Sequence, residues 1–523
     1  MTSQPEYHSY EEFRNRLQSL SEIQALGMEP YPAKFSPQAL AADLTNSFAN
    51  EVIGHSEDAA DGKTPYTVVA GRLVLFRAMG KNAFGHIQDE SGRIQIMFNR
   101  DLTKVEGLPP GELSDIKFIE KKLDLGDLIG VEGNLFFTNK GELTLFAKKV
   151  TLLCKTLLPL PDKYSGIADK GIRYRKRWLD LISNPETLQT FKKRSSILRM
   201  IRNYFEKIGF MEVETPVLQN IYGGAQARPF TSHLNALNQT MFLRISLELP
   251  LKKLIVGGYH KVYEIGKVFR NEGIDKTHNP EFTMLEAYAA YWDYKDMMTF
   301  TENLFQEIAL NLYGTTQLRY KKENTDEEIV VDVKAPWIRM SMKESISQYG
   351  KYNVDALTND QLLDILTKAG VDKDKLQKAA RGILIQLMFE EFVEEHLIQP
   401  HHIIDHPIET TPLCKLHRDP ELRKEKFVER FETFILGNEF CNSYSELNDP
   451  VLQRELLEDQ ARKKEAGDEE ANPLDEEFIE SICQGMPPTG GLGIGIDRLV
   501  MLFTAAHSIR DVLFFPIMKP EEN

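Results

Sequence analysis

The sequence predicts an α+β protein: a small β-barrel behind a helical lead-in, then a larger domain mixing strands and helices. Three observations predict it. The chain is 523 residues long, too long for one core. Its apolar residues change from helical spacing near the start to short alternating runs from about Tyr66 to Thr151. The last third returns to strands that end in a glycine-rich run and an apolar helix.

In chain order, YEEFRNRLQSLSEIQAL (10–26) has apolar positions at helical spacing, closed by Gly27 and the breaker EPYP (29–32). The runs TVVAGRLVLFRA, FGHIQDE, GRIQIMFN, DLIGVEGNLFF and ELTLFAKKV read as five strands, with a helix near 111–122 between the third and fourth. That order suggests a Greek-key barrel of the OB type. Such barrels bind single-stranded nucleic acid on a face of aromatic and basic residues, and Arg72, Arg77, Phe84 and Phe98 suit that use. On the residues alone, ordinary barrel core is the better reading of the aromatics. The predicted segments are 1–62 (helix and lead-in), 63–155 (barrel), 156–185 (hinge) and 186–523 (large domain). A helix over 189–209 precedes the broken strand FMEVETPVLQ (210–219), and a helical insertion fills about 345–400.

Composition narrows the function classes. No apolar run is long enough to span a bilayer, and the first residues lack signal-peptide regions. Cys154, Cys414, Cys441 and Cys483 are far apart with no C-x-x-C, so neither a zinc site nor a disulfide framework is signalled. A cytoplasmic home without membrane contact is the expectation. The net charge of −15 argues against non-specific adhesion to nucleic acid, though KGIRYRKRW (170–178) is a local basic patch. A solvated linker explains that patch as well as a binding surface does.

The chemistry gathers in three stretches. FRNEGIDKTHNPEFTMLEAY (269–288) places Arg270, Glu272 and His278 around a loop of about ten residues, between strands that also carry Glu286 and Tyr288. In RFETFILGNEFCNSYSELND (430–449), Glu432, Glu439 and Glu446 recur every seven residues, with Asn442 between the last two. Odd spacing would alternate faces in one strand, so a turn or bulge at 436–438 is expected to reset the phase. Carboxylates among Phe, Ile and Tyr call for cations, either magnesium or a cationic substrate. GGLGIGIDRLVMLF (490–503) lacks both G-x-G-x-x-G and the Walker pattern; its glycines would let backbone and Arg498 approach a flat or anionic ligand. HHIIDHP (401–407) clusters three histidines, but no Cys or Glu at ligand spacing supports a metal there.

Taken together, these stretches resemble the class II aminoacyl-tRNA synthetases, and within them the lysyl-tRNA synthetases of bacterial type. The helix ending in Gly209 with MEVETP (211–216) is similar to the first class motif, VFRNEGIDKTHNPEFT (268–283) to the second and GLGIGIDRLVMLF (491–503) to the third. GGAQARPF (223–230), LRISLEL (243–249), EAYAAY (286–291) and NEFCNSYSELND (438–449) carry the likeness to the lysine enzymes.

The resemblance implies an OB-fold anticodon-binding domain and a catalytic domain with an antiparallel sheet flanked by helices. It implies ATP-dependent activation of L-lysine, then transfer to tRNA(Lys), by a homodimer that uses Mg2+. Arg270 would bridge the substrate carboxylate and the α-phosphate. Phe282 and Arg498 would sandwich adenine, Glu272 would read its amino group, and His278 would touch the terminal phosphates. Glu432 and Glu439 would hold magnesium. Glu446 with Tyr288 would take the side-chain ammonium; Glu248, Glu286 and Gly224 would complete the pocket, and Asn442 would orient the carboxylate. Arg72, Phe84 and Gln95 would meet the anticodon, reversing the barrel-core reading. The rivals are an aspartyl- or asparaginyl-tRNA synthetase, whose pocket suits an anionic or amide side chain, and a non-catalytic OB-fold nucleic-acid-binding protein.

Overall fold

The structure is a computed structural model that describes residues 5–111, 113–161, 167, 169–322, 325–376 and 379–520. Parts of the expected segments 1–62, 63–155, 156–185 and 186–523 lie outside the described residues. The chain divides into two compact units, Met1–Leu188 and Gln189–Asn523.

The first unit is built on strands β1 (Tyr66–Met79), β2 (Asn82–Gln88), β3 (Arg93–Asn99), β4 (Leu128–Phe137) and β5 (Leu143–Cys154). Neighbours pair antiparallel in the order β3-β2-β1-β4-β5, and β3 closes the barrel by pairing parallel with β5 from Gln95↔Thr144 to Phe98↔Ala147. Helix α1 (Glu11–Ala25) and helix α2 (Asp115–Lys122) contribute Ile23, Ile116, Phe118 and Ile119 to its core. Alternation puts Leu73, Ile87, Ile94, Ile96 and Phe98 inside. Phe98 is wholly buried, so the base-stacking use its sequence suggested is excluded. The basic stretch also differs from a solvated linker. It folds into helices Lys170–Arg175 and Arg177–Ser183, and Arg177 is buried against Asp180 at 2.7 Å.

The second unit holds strands β6 (Lys261–Phe269), β7 (Glu281–Ala290), β8 (His401–Pro407), β9 (Phe427–Ile435), β10 (Asn438–Ser445) and β11 (Thr489–Gly495). They pair antiparallel in the order β8-β9-β10-β11-β7-β6. Short strands Ile338–Ser341 and Met211–Glu212 add parallel edges. The predicted strand 210–219 is thus two short pieces in different sheets, because Pro216 lies between them.

One face of the large sheet is apolar. Leu285, Ala287, Cys441, Phe431, Leu492 and Ile494 pack under helices α3 (Pro185–Lys207), α5 (Tyr294–Tyr313) and α7 (Ile496–Thr504), which supply residues such as Phe205, Phe305 and Leu499. Helix α4 (Glu248–Val256) packs with Val262 and Tyr288 in a separate cluster. Helices between 342 and 396, including α6 (Arg381–Phe392), build their own apolar cluster. With a period of two, burying one set of strand residues turns the other set to the opposite face. That other set contains Glu286, Tyr288, Arg430, Glu432, Asn442 and Tyr444.

Candidate active site

Those residues form two rows across the sheet. Glu432, Asn442, Gly493 and Glu286 are consecutive cross-strand partners, and Arg430, Tyr444, Gly491 and Tyr288 form the row beside them. The glycines of β11 therefore supply a floor without side chains. A Cβ on Gly491 would stand 1.8 Å from Glu446 Oε1 and 2.7 Å from Tyr288 Cε1; one on Gly493 would stand 2.8 Å from Met284 Cε. Above this floor lies a cavity of about 420 Å³. It is lined by every residue that the resemblance assigned to ATP, amino acid or metal: Gly224, Glu248, Arg270, Glu272, His278, Phe282, Glu286, Tyr288, Glu432, Glu439, Asn442, Glu446 and Arg498. The two-residue turn Leu436–Gly437, both with positive φ, and a register shift after Thr433 bring the three glutamates to one cavity.

One end of the cavity is acidic. Glu248, Glu286 and Glu446 are only 4 %, 3 % and 1 % exposed. Glu286 accepts hydrogen bonds from Ser246 Oγ (2.8 Å), the Leu247 amide (2.9 Å) and Tyr288 OH (3.1 Å). Burial, reinforced by the Glu248 charge, nonetheless pushes its carboxyl up to about 7. Burial also raises Glu446 well above the usual carboxylate range, with Lys252 pulling it back and Glu248 pushing it further. Glu446 makes an ion pair with Lys252, yet neither of its oxygens accepts a hydrogen bond of good geometry among the described residues. Tyr444 OH donates to Glu248 at 2.7–2.8 Å. Gly224 reaches the wall at φ +87°, where a Cβ would meet Ser246 Oγ at 2.8 Å.

The other end is cationic. Arg270, at the end of β6, places its guanidinium 5.3 Å from the Phe282 ring centroid. Arg498 follows the glycine strand in the first turn of α7; it donates to the Glu439 carbonyl at 2.8 Å and lies 3.1 Å from His278 Nε2. His278 Nδ1 is 2.8 Å from Asp275 on the intervening loop. Burial raises the Glu439 carboxyl, and the Glu432 charge reinforces this.

Among the described residues, no three His, Cys, Asp or Glu side chains converge as a metal site. Glu432 and Glu439 supply hard oxygen donors at the cationic end, a set that fits magnesium whose shell is completed by phosphate oxygens. The three histidines of β8 serve packing: His402 bonds Thr433 Oγ1 (2.9 Å) and His406 the Ile403 carbonyl (3.0 Å).

Arg72, Phe84 and Gln95 belong to the other unit. The pairings Arg72↔Gln88, Phe84↔Met97 and His86↔Gln95 put all three on the outer face of the barrel, and a bulge after Leu73 turns Arg77 to the same face. Arg72 donates to the Gly126 carbonyl (2.7 Å), Gln95 to Glu142 (2.8 Å), and Phe84 rests on the cluster of Met97, Phe136 and Phe146.

Sequence reasoning missed Arg430, Tyr444 and Lys252. Arg430 holds Glu432 at 2.5 Å and Asn442 at 3.1 Å. The two-residue spacings Arg430–Glu432 and Asn442–Tyr444, and the four-residue spacing Glu248–Lys252 on a helix, were the available signals.

Residues 169–519 match the family model described as class II tRNA synthetases (D, K and N), and residues 67–153 match the OB-fold nucleic acid binding domain. A lysine–tRNA ligase of Chlamydia pneumoniae is 56% identical over 99% of this chain and 98% of its own length. Those of Staphylococcus epidermidis and Nostoc punctiforme are 46% and 44% identical, covering 96% and 97% of this chain and 97% and 87% of their own.

Proposed function

The chain belongs to the class II tRNA synthetases (D, K and N), and from that premise we propose that it is a lysine–tRNA ligase. It joins L-lysine to ATP, releasing pyrophosphate, and transfers the lysyl group from the adenylate to the 3′-end of tRNA(Lys). The observation that carries this reading is the acidic end of the cavity. Three buried carboxylates suit a substrate with two ammonium groups and repel an anionic side chain. That disfavours aspartate as substrate, and an amide side chain would leave one carboxylate without a cation.

Adenylation brings two anions together, so positioning and fixed positive charge are what the protein can contribute. A carboxylate oxygen of lysine bonds to the α-phosphorus as the bond to the β-phosphate bridging oxygen breaks. Arg270, which stands at the cationic end yet feels the charge of Glu286 at the acidic end, is the group suited to both anions. Phe282 and Arg498 supply a ring face and a guanidinium plane for adenine, with Glu272 for its amino group and His278 for the outer phosphates. Glu432 and Glu439 are the residues to hold Mg2+, which when bound neutralises triphosphate charge. Glu446 and Tyr288 take the side-chain ammonium, Glu248, Glu286 and Gly224 the rest of lysine, and Asn442 its carboxylate. Arg72, Phe84 and Gln95 are the anticodon contacts. The working protein is a cytoplasmic homodimer; no helix among the described residues is long and apolar enough to cross a membrane.

Amino-acid-dependent ATP–pyrophosphate exchange across the standard amino acids, without tRNA, tests the reading. Exchange with lysine alone is expected. Exchange with aspartate or asparagine would replace the substrate assignment.

A further inference from the structure

Lys252 lies behind the acidic wall rather than in it. Its side chain is fully buried and does not line the cavity. It sits on α4 one turn after Glu248, whose Oε1 is 2.5 Å from its Nζ, and pairs on its other side with Glu446 Oε2. The ring centroids of Tyr444 and Phe478 lie 5.5 and 5.8 Å from the ammonium. Glu446 Oε1 is directed over Gly491, on the cavity floor, and accepts no hydrogen bond from the described residues. Resting on the lysine–tRNA ligase reading, we propose that Lys252 is a positioning residue. It holds Glu446 by one oxygen, turns the other toward the substrate, and sets the number of cations that the pocket demands.

Charge counting gives the second half of that statement. Glu248, Glu286 and Glu446 bring three negative charges, and Lys252 brings one positive. The two ammonium groups of lysine complete neutrality, leaving the substrate carboxylate to Arg270. A neutral side chain leaves one carboxylate unmatched, which must bind a proton or stay buried and unpaired. The Lys252 ammonium is thus what makes the charge of the pocket match two cations rather than three. Its own charge is secure. Burial would lower its pKa, but Glu248 and Glu446 outweigh burial and hold it above the ordinary lysine value. The other groups that face this cluster are Tyr288 from β7, Tyr444 from β10, and Cys414, which bridges to Glu446 and is also influenced by Arg430.

The test is Lys252→Met in the full chain, read by lysine-dependent ATP–pyrophosphate exchange from pH 6 to 9. Three carboxylates then face two substrate ammonium groups, so one proton is retained until higher pH. KM for lysine at pH 7 should rise at least tenfold, while kcat at saturating lysine and KM for ATP change less than about threefold. The pH at which lysine KM reaches its plateau should move up by about one unit or more, with KM largely recovered at pH 9. A lysine KM profile that overlays the unaltered protein's, or a fall in kcat alone, would overturn the proposal. Should Lys252→Met not fold, Lys252→Gln, which keeps a donor beside Glu446 but no charge, is read in the same way. Its lysine KM profile should also move up; a profile that overlays the unaltered protein's, or a second failure to fold, counts against the assignment. Lack of lysine-dependent exchange in the unaltered protein would instead overturn the functional reading, and this inference with it.

Discussion

Glu446 stands where the cost of a missing partner is high, because its carboxylate is buried and, among the described residues, neither oxygen accepts a hydrogen bond of good geometry. Glu446→Gln removes the charge while keeping the shape. It should lower kcat/KM for lysine about 10²- to 10⁴-fold, as expected for breaking a buried ion pair worth about 3–5 kcal/mol. Exchange kinetics at pH 8 read this directly. Glu286 adds a pH dependence. Its carboxyl titrates at about 7, and an ammonium is held by the ionised form. Between pH 6 and 8 the ionised fraction rises about tenfold, so KM for lysine should fall by a similar factor. The sign for stability is opposite. A carboxyl raised above its unfolded value binds more protons in the folded state, so its contribution to the ligand-free fold is present below about 4.5 and lost as pH rises through 7. Thermal unfolding of ligand-free protein across that range should show the loss, and saturating lysine should diminish it.

Strand β11 makes the pocket possible by having nothing on its cavity face. Gly491→Ala puts a methyl carbon where Glu446 Oε1 now lies, 1.8 Å from its ideal position, and against the Tyr288 ring. Either Glu446 rotates away or the sheet spreads, at a cost of about 1–3 kcal/mol. Lysine-dependent exchange should drop at least a hundredfold, while ATP binding, followed by calorimetry, changes little because Arg270 and Arg498 are untouched. An enzyme unaffected by this change would mean that Glu446 has room the fold does not provide. The glycine strand also marks the limit of sequence reading. The glycines, the glutamates and their seven-residue recurrence were legible, as was the turn at 436–437 that aligns them, since positive φ favours Gly437. The floor was not legible, because it depends on cross-strand register: Gly491 between Tyr444 and Tyr288, Gly493 between Asn442 and Glu286. Lys252 was hidden for a related reason. A lysine on an amphipathic helix normally points to water, and only the packing of α4 behind the sheet's pocket face reveals that this one is buried. Likewise, Phe84 and Phe98 are the same residue type in neighbouring strands. The pairing Ala83↔Phe98, with Ala83 fully buried, is what sends one ring inward and leaves the other outside.

At the scale of the whole chain, the residues proposed for adenylation and those proposed for the anticodon lie in different units. Every group assigned to adenylation lines one cavity within Gln189–Asn523, whereas the three candidate anticodon residues sit on the outer face of a barrel within Met1–Leu188 with its own apolar core. Activation of lysine needs no contact with the barrel face, so damage there should separate the steps. Phe84→Ala removes a stacking surface worth about 1–3 kcal/mol per base, and Gln95→Ala removes a hydrogen-bonding edge. Each should raise KM for tRNA(Lys) in aminoacylation about ten- to a hundredfold, with the loss growing as salt is raised, since screening weakens what phosphate contacts remain. Exchange without tRNA should stay within about twofold. Phe98→Ala supplies the contrast, because it empties the barrel core and should cost about 3–5 kcal/mol of stability in that unit. If Phe84→Ala and Phe98→Ala depress aminoacylation only in proportion to the unfolded fraction, the outer face is packing, and tRNA is held elsewhere on the chain. If Phe84→Ala acts at full stability and on the tRNA step alone, the barrel's outer face is the anticodon contact.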